Sequence, residues 1–275
     1  RDRYKVVGYE LDMIVWLPLA GIIAAGTGLI IAPLAVRLKG LNLALVSIGI
    51  VYIGSYILSN LNLVTGGAGL GRKTAGYTLL GFNFEDGVEI GSLILTRNQV
   101  LYYLGLIVAL LCGIGVKNLI RSKIGRAYAA IRDRDIAAEA IGINLARFKA
   151  SAFALSSFYA GIAGALMFST IGGVDVERFG LLFSVTFIAI VVIGGVGTVM
   201  GPIFGSVFFG LLPGIIKFGI DHSEFIRDSI PLNAAQLERV IFGLLIVVFL
   251  IFEPRGIWGI WFRLRNYFKA WPFSY

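Results

Sequence analysis

Runs of about twenty predominantly apolar residues recur along nearly the whole chain. As an α-helix, which rises ~1.5 Å per residue, each run can cross the ~30 Å apolar core of a bilayer. Hydrophobic residues make up 57% of the 275 residues and charged residues only 15%, so a single soluble core cannot bury all of these runs. The sequence therefore predicts an all-α membrane protein, folded as a polytopic helical bundle.

The apolar runs predict about seven transmembrane helices. Their bounds are Ile14–Val36, Leu41–Ser59, Gln99–Ile120, Ala150–Ile171, Leu181–Met200, Pro202–Gly219 and Val240–Phe252. Together they form one transmembrane domain over residues 1–275. Because the first residue is Arg1 and no signal peptide precedes it, we expect further N-terminal helices to be missing from this chain.

Basic residues are distributed unequally between the two sides that seven spans define. Of the 24 Lys and Arg residues, 14 fall on the side that holds residues 121–149 and the C-terminus, together with 4 of the 16 Asp and Glu residues. Cytoplasmic loops are enriched in Lys and Arg. This side is therefore predicted to be cytoplasmic and the loop at residues 60–98 external. The positive charge lies in short connectors rather than on one exposed face of the protein. This distribution indicates that the charge orients the chain in a lipid membrane rather than binding nucleic acid.

Ionisable side chains are almost confined to the ends of the predicted spans, as at Lys117 and Lys217. Proton-coupled carriers usually keep a carboxylate or a histidine at membrane depth, so the energy source is predicted to lie elsewhere. A stand-alone channel and a sodium-coupled carrier, which can bind its ion through backbone carbonyls, are alternatives. Because His, Asp, Glu and Cys do not cluster at membrane depth, the sequence predicts neither a catalytic site nor a metal site.

A stripe of small and apolar residues marks the loop at residues 121–149. The stripe consists of Ala127, Ala130, Ile131, Ala137, Ala138 and Ile141. This spacing predicts two short helices with a bend near Asp133. Asp135 is expected to cap the start of the second helix, and Gly142 is expected to end that helix. The small side chains favour a shallow groove on another protein, and a helix lying on the membrane surface is the alternative.

This loop, from Gly125 to Ser157, resembles the ATPase-coupling loop of LivM-type permeases in the branched-chain amino-acid ABC transporter family. Three shorter stretches agree: Val36–Gly40 with an internal turn, Thr65–Gly67 with an external loop, and Phe252–Ile257 with the C-terminal end. The resemblance implies a permease subunit of an ATP-driven importer for branched-chain or other neutral amino acids. A permease for urea or short amides is the alternative within the family.

The resemblance also implies a complex in a prokaryotic inner membrane. Its other members are a second permease, two ATP-binding subunits and an extracytoplasmic substrate-binding protein. Because the ATP-binding subunits hold the ATP, this chain is expected to be non-catalytic and to need no cofactor. The residues expected to contact the ATPases or shape the loop are Gly125, Arg126, Ala130, Arg132, Asp133, Ala137, Ala138 and Gly142. The candidates for lining the substrate path are Thr65, Ser156 and Ser157.

Overall fold

The structure is a computed structural model of the chain. It describes residues 11–38, 40–61, 65, 78–79, 81–85, 87–90, 93–173, 179–222, 234–252 and 256–270. The chain forms two compact units, Arg1–Gly180 and Leu181–Tyr275. Most of the described residues are helical, which confirms the predicted fold class.

The described part of the first unit contains long helices and two short β-hairpins. The helices are α1 (Met13–Arg37), α2 (Leu41–Asn60), α3 (Arg97–Arg121), α4 (Lys123–Asp133), α5 (Asp135–Ala140) and α6 (Leu145–Ile171). The antiparallel hairpins pair β1 (Thr78–Leu79) with β2 (Phe82–Asn83) and β3 (Val88–Ile90) with β4 (Leu93–Leu95). Both hairpins lie within the loop at residues 60–98, where the sequence predicts no strands.

Small residues allow α1 and α6 to pack closely. A Cβ added to Gly161 of α6 would lie 2.6 Å from the carbonyl oxygen of Ala20 on α1, and one added to Gly21 would lie 2.8 Å from the Phe158 ring. Farther along α1, Gly28 faces Ser157. Because lipid supplies no hydrophobic drive between helices, close backbone approach through small residues is the means by which such a pair gains van der Waals contact.

A buried cluster fixes the hairpins to the ends of three helices. Phe84, which follows β2, is 1% exposed and packs among Met13 and Leu17 of α1, Leu101 of α3 and Ala165 of α6. The loop between α2 and α3 is therefore attached to the helices at this end of the first unit.

The second unit contains α7 (Leu181–Gly194), α8 (Met200–His222), α9 (Ala234–Phe252) and α10 (Gly256–Ala270). The predicted span Leu181–Met200 begins correctly but is too long, because α7 ends at Gly194. Gly195 and Gly197 have φ angles of 123° and 81°, which break the helix. With 14 residues, α7 is only ~21 Å long and falls short of the ~30 Å bilayer core.

Five helical stretches in the described residues are long and apolar enough to cross a membrane. They are Met13–Leu34, Leu41–Asn60, Arg97–Arg121, Leu145–Ile171 and Met200–Gly219. They agree with five of the predicted spans. Helix α9 contains the predicted span Val240–Phe252 and begins six residues earlier, at Ala234.

Glycines also bring the elements of the second unit together. A Cβ on Gly194 of α7 would overlap the carbonyl group of Gly201 on α8, and one on Gly256 of α10 would lie 2.6 Å from the carbonyl oxygen of Ile193. The Thr198 hydroxyl accepts a hydrogen bond from the Gly201 amide at 2.9 Å, which supports the first turn of α8. The turn between α7 and α8 is thus held by backbone contacts that only glycine permits.

Candidate functional site

The connector between α3 and α6 consists of α4, α5 and their flanking turns. It begins with a sharp corner at Ser122, whose hydroxyl donates to the Leu119 carbonyl at 2.6 Å and accepts from the Gly125 amide at 3.3 Å. Gly125 is buried, and a Cβ there would overlap the last carbonyl groups of α3. The Arg126 guanidinium donates to the Arg121 carbonyl at 3.2 Å. Gly125 and Arg126 therefore both take part in fixing the direction of α4.

Helix α4 is attached to α6 by Tyr128, which the sequence-based list of site residues omits. The Tyr128 and Ser151 hydroxyl oxygens are 2.8 Å apart, and Ser151 donates its own proton to the Phe148 carbonyl at 2.9 Å. With the Ser151 proton on the Phe148 carbonyl, the Tyr128 hydroxyl can donate to Ser151. Its ring also packs edge-on against Phe148, with centroids 6.1 Å apart. Tyr128 is the only aromatic residue of α4, and this is the feature of the sequence that could have indicated the contact.

A groove of about 510 Å³ opens beside this contact. Its lining residues are Leu119, Ile124, Tyr128, Arg147, Phe148, Ser151 and Leu155. They come from α3, α4 and α6, so a movement of α4 against α6 would change the width of the groove.

The predicted bend in the connector is confirmed. Helix α4 ends at Asp133, Arg134 is extended with φ −152° and ψ 101°, and α5 begins at Asp135. The prediction that Asp135 is the cap of α5 is wrong by one position, because Arg134 occupies the N-cap position. The Asp135 carboxylate instead accepts a hydrogen bond from the Ile136 amide at 3.0 Å.

Gly142 ends α5 as predicted. Its φ angle is 87°, and its amide donates to the Glu139 carbonyl at 2.9 Å. The Ile143 amide donates to the Ala138 carbonyl at 3.0 Å. This pair of bonds is a Schellman motif, which requires a residue in the left-handed conformation just after the helix.

The predicted small-residue stripe divides between the interior and the surface. Ala127 and Ala138 are buried in the chain, Ala138 at 1% exposure, and Ala130 and Ile131 are half-buried. The side chain of Ala138 therefore faces its own chain, which differs from the contact with an ATPase expected from the sequence.

The most exposed large apolar side chains of the connector lie on α5 and at the residue after it. Ala137 is exposed, and the exposed fractions of Ile136 and Ile141 are 79% and 75%. We call Ile136, Ala137 and Ile141 the apolar tip. Arg132 and Asp133 form an exposed ion pair next to it, with Nε and Oδ1 3.2 Å apart.

The three candidates for the substrate path have different surroundings. The Thr65 hydroxyl donates to the Leu58 carbonyl at 2.7 Å, and the Ser156 hydroxyl donates to the Phe153 carbonyl at 3.0 Å. Ser157 instead faces α1 at Gly28. The two serines lie on different sides of α6, because Ser156 is exposed and Ser157 is packed against α1. In the described residues, no three His, Cys, Asp or Glu side chains group as ligands for a metal ion.

These helices and their connector define a multi-pass, all-α membrane protein. The family model described as "Branched-chain amino acid transport system / permease component" matches residues 4–250. The chain belongs to this family, as its resemblance to LivM-type permeases predicts.

Relatives with established names agree with the family. The chain is 29% identical over 261 residues to the high-affinity branched-chain amino acid transport system permease protein LivM of Salmonella typhimurium, and 28% identical to LivM of Escherichia coli. Each match covers 90% of this chain and 58% of the relative. The permease protein BraD of Pseudomonas aeruginosa is 30% identical over 185 residues, which are 66% of this chain and 54% of BraD. The chain thus spans little more than half the length of these relatives. No solved structure matches it.

Proposed function

We propose that this chain is a permease subunit of an ATP-driven importer for branched-chain amino acids and that its connector couples the helices to ATP-binding subunits. The observation that carries the proposal is the connector itself, a pair of short helices with an uncovered apolar tip, joined firmly to two spans. The relatives named as branched-chain amino acid permeases support the transported class, since they match 90% of the chain.

The apolar tip favours a protein partner. Burying a side chain such as isoleucine stabilises a complex by ~1.5–3 kcal/mol relative to leaving it in water. Ile136 and Ile141 are both more than 70% exposed and lie five positions apart, on and just after one short helix. A shallow groove on an ATP-binding subunit would cover both. The exposed Arg132 and Asp133 would lie at the polar rim of that contact.

The corner at Ser122 and the Tyr128–Ser151 contact would transmit motion from the tip to the spans. The first joins α4 to α3, and the second joins α4 to α6. When the ATP-binding subunits close on ATP, displacement of α5 would therefore move α3 and α6 relative to each other. This chain performs no chemistry in such a cycle and needs no cofactor, because the partner subunits bind and hydrolyse the ATP.

The remaining partners in this proposal are a second permease, an extracytoplasmic substrate-binding protein and lipid. Tyr52, Ile53 and Tyr56 on α2 form an exposed apolar surface that the second permease or lipid would cover. The complex would lie in the inner membrane of a prokaryote, with the connector in the cytoplasm. The C-terminus would lie on the same side if the segment Leu181–Met200 crosses the membrane, as the sequence predicts. The excess of Lys and Arg on that side supports this orientation.

The spans carry ionisable groups almost only near their ends. The net charge of the substrate must therefore suit a path without fixed charges at mid-membrane. An amino-acid zwitterion has no net charge, and stripping its water in an apolar path is costly. Hydroxyl groups, helix ends and glycine-exposed backbone supply dipoles without fixed charge. Leucine, isoleucine and valine suit such a path, whereas lysine or glutamate would need a counter-charge.

A competition assay tests this function. Labelled leucine uptake is measured in vesicles that contain both permeases, the ATP-binding subunits and the binding protein. We expect uptake to require ATP and to be abolished by excess isoleucine or valine. Strong inhibition by urea or glutamate, with none by isoleucine, would contradict the amino-acid assignment. Uptake that persists without the ATP-binding subunits would instead indicate a channel or a sodium-coupled carrier.

A further inference from the structure

Helix α10 has two chemically different faces. Five of its apolar residues follow helical spacing and lie on one face. They are Ile257, Ile260, Trp261, Leu264 and Phe268. Arg265, Asn266 and Lys269 fall on the other side of the helix, together with Phe262. The pattern is therefore that of an amphipathic helix with aromatic residues within and beside its apolar face.

Among the described residues, the buried positions of α10 lie in its first turn. Gly256 and Gly259 are buried, Gly256 with a φ angle of 65°, and the Trp258 ring stacks on Phe204 of α8 with centroids 5.6 Å apart. Every residue from Ile260 to Lys269 is exposed, including Phe268 at 70%. The apolar face beyond the first turn is thus uncovered by the described part of this chain.

The charge of α10 indicates what covers that face. The helix contains Arg263, Arg265 and Lys269 and contains neither Asp nor Glu. Basic residues beside an apolar face suit an anionic bilayer surface, where their aliphatic stems lie along the acyl region and their charges reach the headgroups. Trp261 and Tyr267 agree with this environment, because Trp and Tyr concentrate at membrane–water interfaces.

The position of α10 along the chain places it at such an interface. The apolar helix α9 ends at Phe252, and α10 begins at Gly256. Because α9 contains the predicted span Val240–Phe252, a helix that begins after three further residues starts close to the membrane boundary. The family match ends at residue 250, so α10 lies beyond the matched region.

We propose that α10 is an interfacial helix that binds the surface of a bilayer containing anionic lipid. Its apolar face lies ~5–10 Å into the boundary between headgroups and acyl chains. Arg265 and Lys269 contact the anionic headgroups. This role is separate from transport, because it does not depend on the transported substrate or on the ATP-binding subunits.

A fluorescence experiment on the full chain tests the proposal. Cys112, the chain's single cysteine, is replaced by serine, and an environment-sensitive NBD probe is attached to a new cysteine in either Phe268→Cys or Asn266→Cys. The chain is reconstituted in phosphatidylcholine vesicles with or without about 30% phosphatidylglycerol, a mole fraction that makes the surface anionic. Quenching is measured with lipids brominated on the acyl chains. Asn266 is the matched control, because it lies two residues away on the polar side.

We expect the probe at position 268 to be quenched about threefold more strongly than the probe at 266 in the anionic vesicles. The Arg265→Gln/Lys269→Gln double variant should reduce quenching at 268 to the level seen in phosphatidylcholine alone. A probe in Leu264→Cys should repeat the result for 268, so the test does not depend on one substitution.

Three results would overturn the proposal. Equal quenching at 266 and 268 would show that the apolar face is not turned toward lipid. Quenching that is the same with and without phosphatidylglycerol would exclude the headgroup contact. Protection of position 268 that appears only after partner subunits are added, without quenching by lipid, would identify a protein as the occupant.

Discussion

Tyr128 is the residue on which the attachment of α4 to α6 depends most. Its hydroxyl reaches Ser151 at 2.8 Å, and its ring contacts Phe148. Both partners belong to the first two turns of α6, whereas α4 itself presents mainly small side chains there. One side chain thus supplies both the polar and the aromatic part of the contact.

Replacing Tyr128 with phenylalanine should loosen α4 without removing the ring contact. A hydrogen bond of this kind contributes ~1 kcal/mol net, which is about a fivefold change in an equilibrium constant. We expect hydrogen exchange of the α4 amides to accelerate by about that factor. Ser151→Ala should have a similar effect, and the double variant should add little because both remove the same bond.

The matched control is Tyr102→Phe on α3, an exposed tyrosine whose ring meets Tyr103 edge-on. It should leave exchange in α4 unchanged. Fully additive effects of Tyr128→Phe and Ser151→Ala would show that the two hydroxyls do not act together.

At the scale of helices, the packing of α1 on α6 depends on where a glycine lies. Gly161 faces Ala20 and Gly21 of α1, whereas a Cβ on Gly164 would meet nothing within 4 Å. The two glycines are on the same helix and three residues apart. They therefore form a natural pair for comparison.

Gly161→Val should separate α1 from α6, while Gly164→Val should be tolerated. Added bulk at a packed site typically costs ~1–3 kcal/mol, because backbone and side chains must shift. We expect the thermal midpoint of the detergent-solubilised chain to fall by several degrees for Gly161→Val only. A thermal scan that follows aggregation measures this. Equal midpoints for the two variants would contradict the predicted role of close packing.

The positions of helices were predictable from the sequence where the length of an apolar run determines the helix. Four helices of the first unit, α1, α2, α3 and α6, agree with predicted spans because each apolar run is bounded by polar residues. The end of α7 was not predictable from the sequence. The stretch from Gly194 to Gly197 consists of small and apolar residues, which also occur inside membrane spans. The break follows from positive φ angles at Gly195 and Gly197, and close contact with Gly256 accompanies it.

The connector shows the same limit at single residues. Its bend and its end at Gly142 follow from local sequence. The inward position of Ala138 depends instead on how α5 folds back toward α6, which helical spacing alone does not reveal. Only the three-dimensional structure distinguishes the exposed Ile136 and Ile141 from the buried alanines.

For the whole molecule, the charge distribution predicts which end faces outward. Helix α3 runs from the hairpins at its start to the connector at its end, so a membrane-spanning α3 puts these on opposite sides. With Cys112 replaced, we expect a cysteine in Phe82→Cys on β2 to react with an impermeant thiol reagent added outside intact cells. A cysteine in Ala137→Cys on the connector should react only after the cells are opened. The reverse pattern would invert the orientation.

A coupled transport assay can show whether the apolar tip couples the chain to ATP-binding subunits. The assay measures leucine uptake and ATP hydrolysis together in vesicles that contain the complete complex. Ile136→Asp/Ile141→Asp places charge on the tip, which would be desolvated at the contact. Ile136→Val/Ile141→Val keeps the apolar surface and is the matched control.

We predict that the aspartate variant inserts normally into the membrane but loses at least about tenfold in uptake, equivalent to ~1.4 kcal/mol of lost coupling. The valine variant should retain most of the uptake. In the aspartate variant, ATP hydrolysis should no longer respond to the substrate-loaded binding protein. Undiminished, ATP-dependent uptake by the aspartate variant would show that the apolar tip does not couple the chain to the ATP-binding subunits.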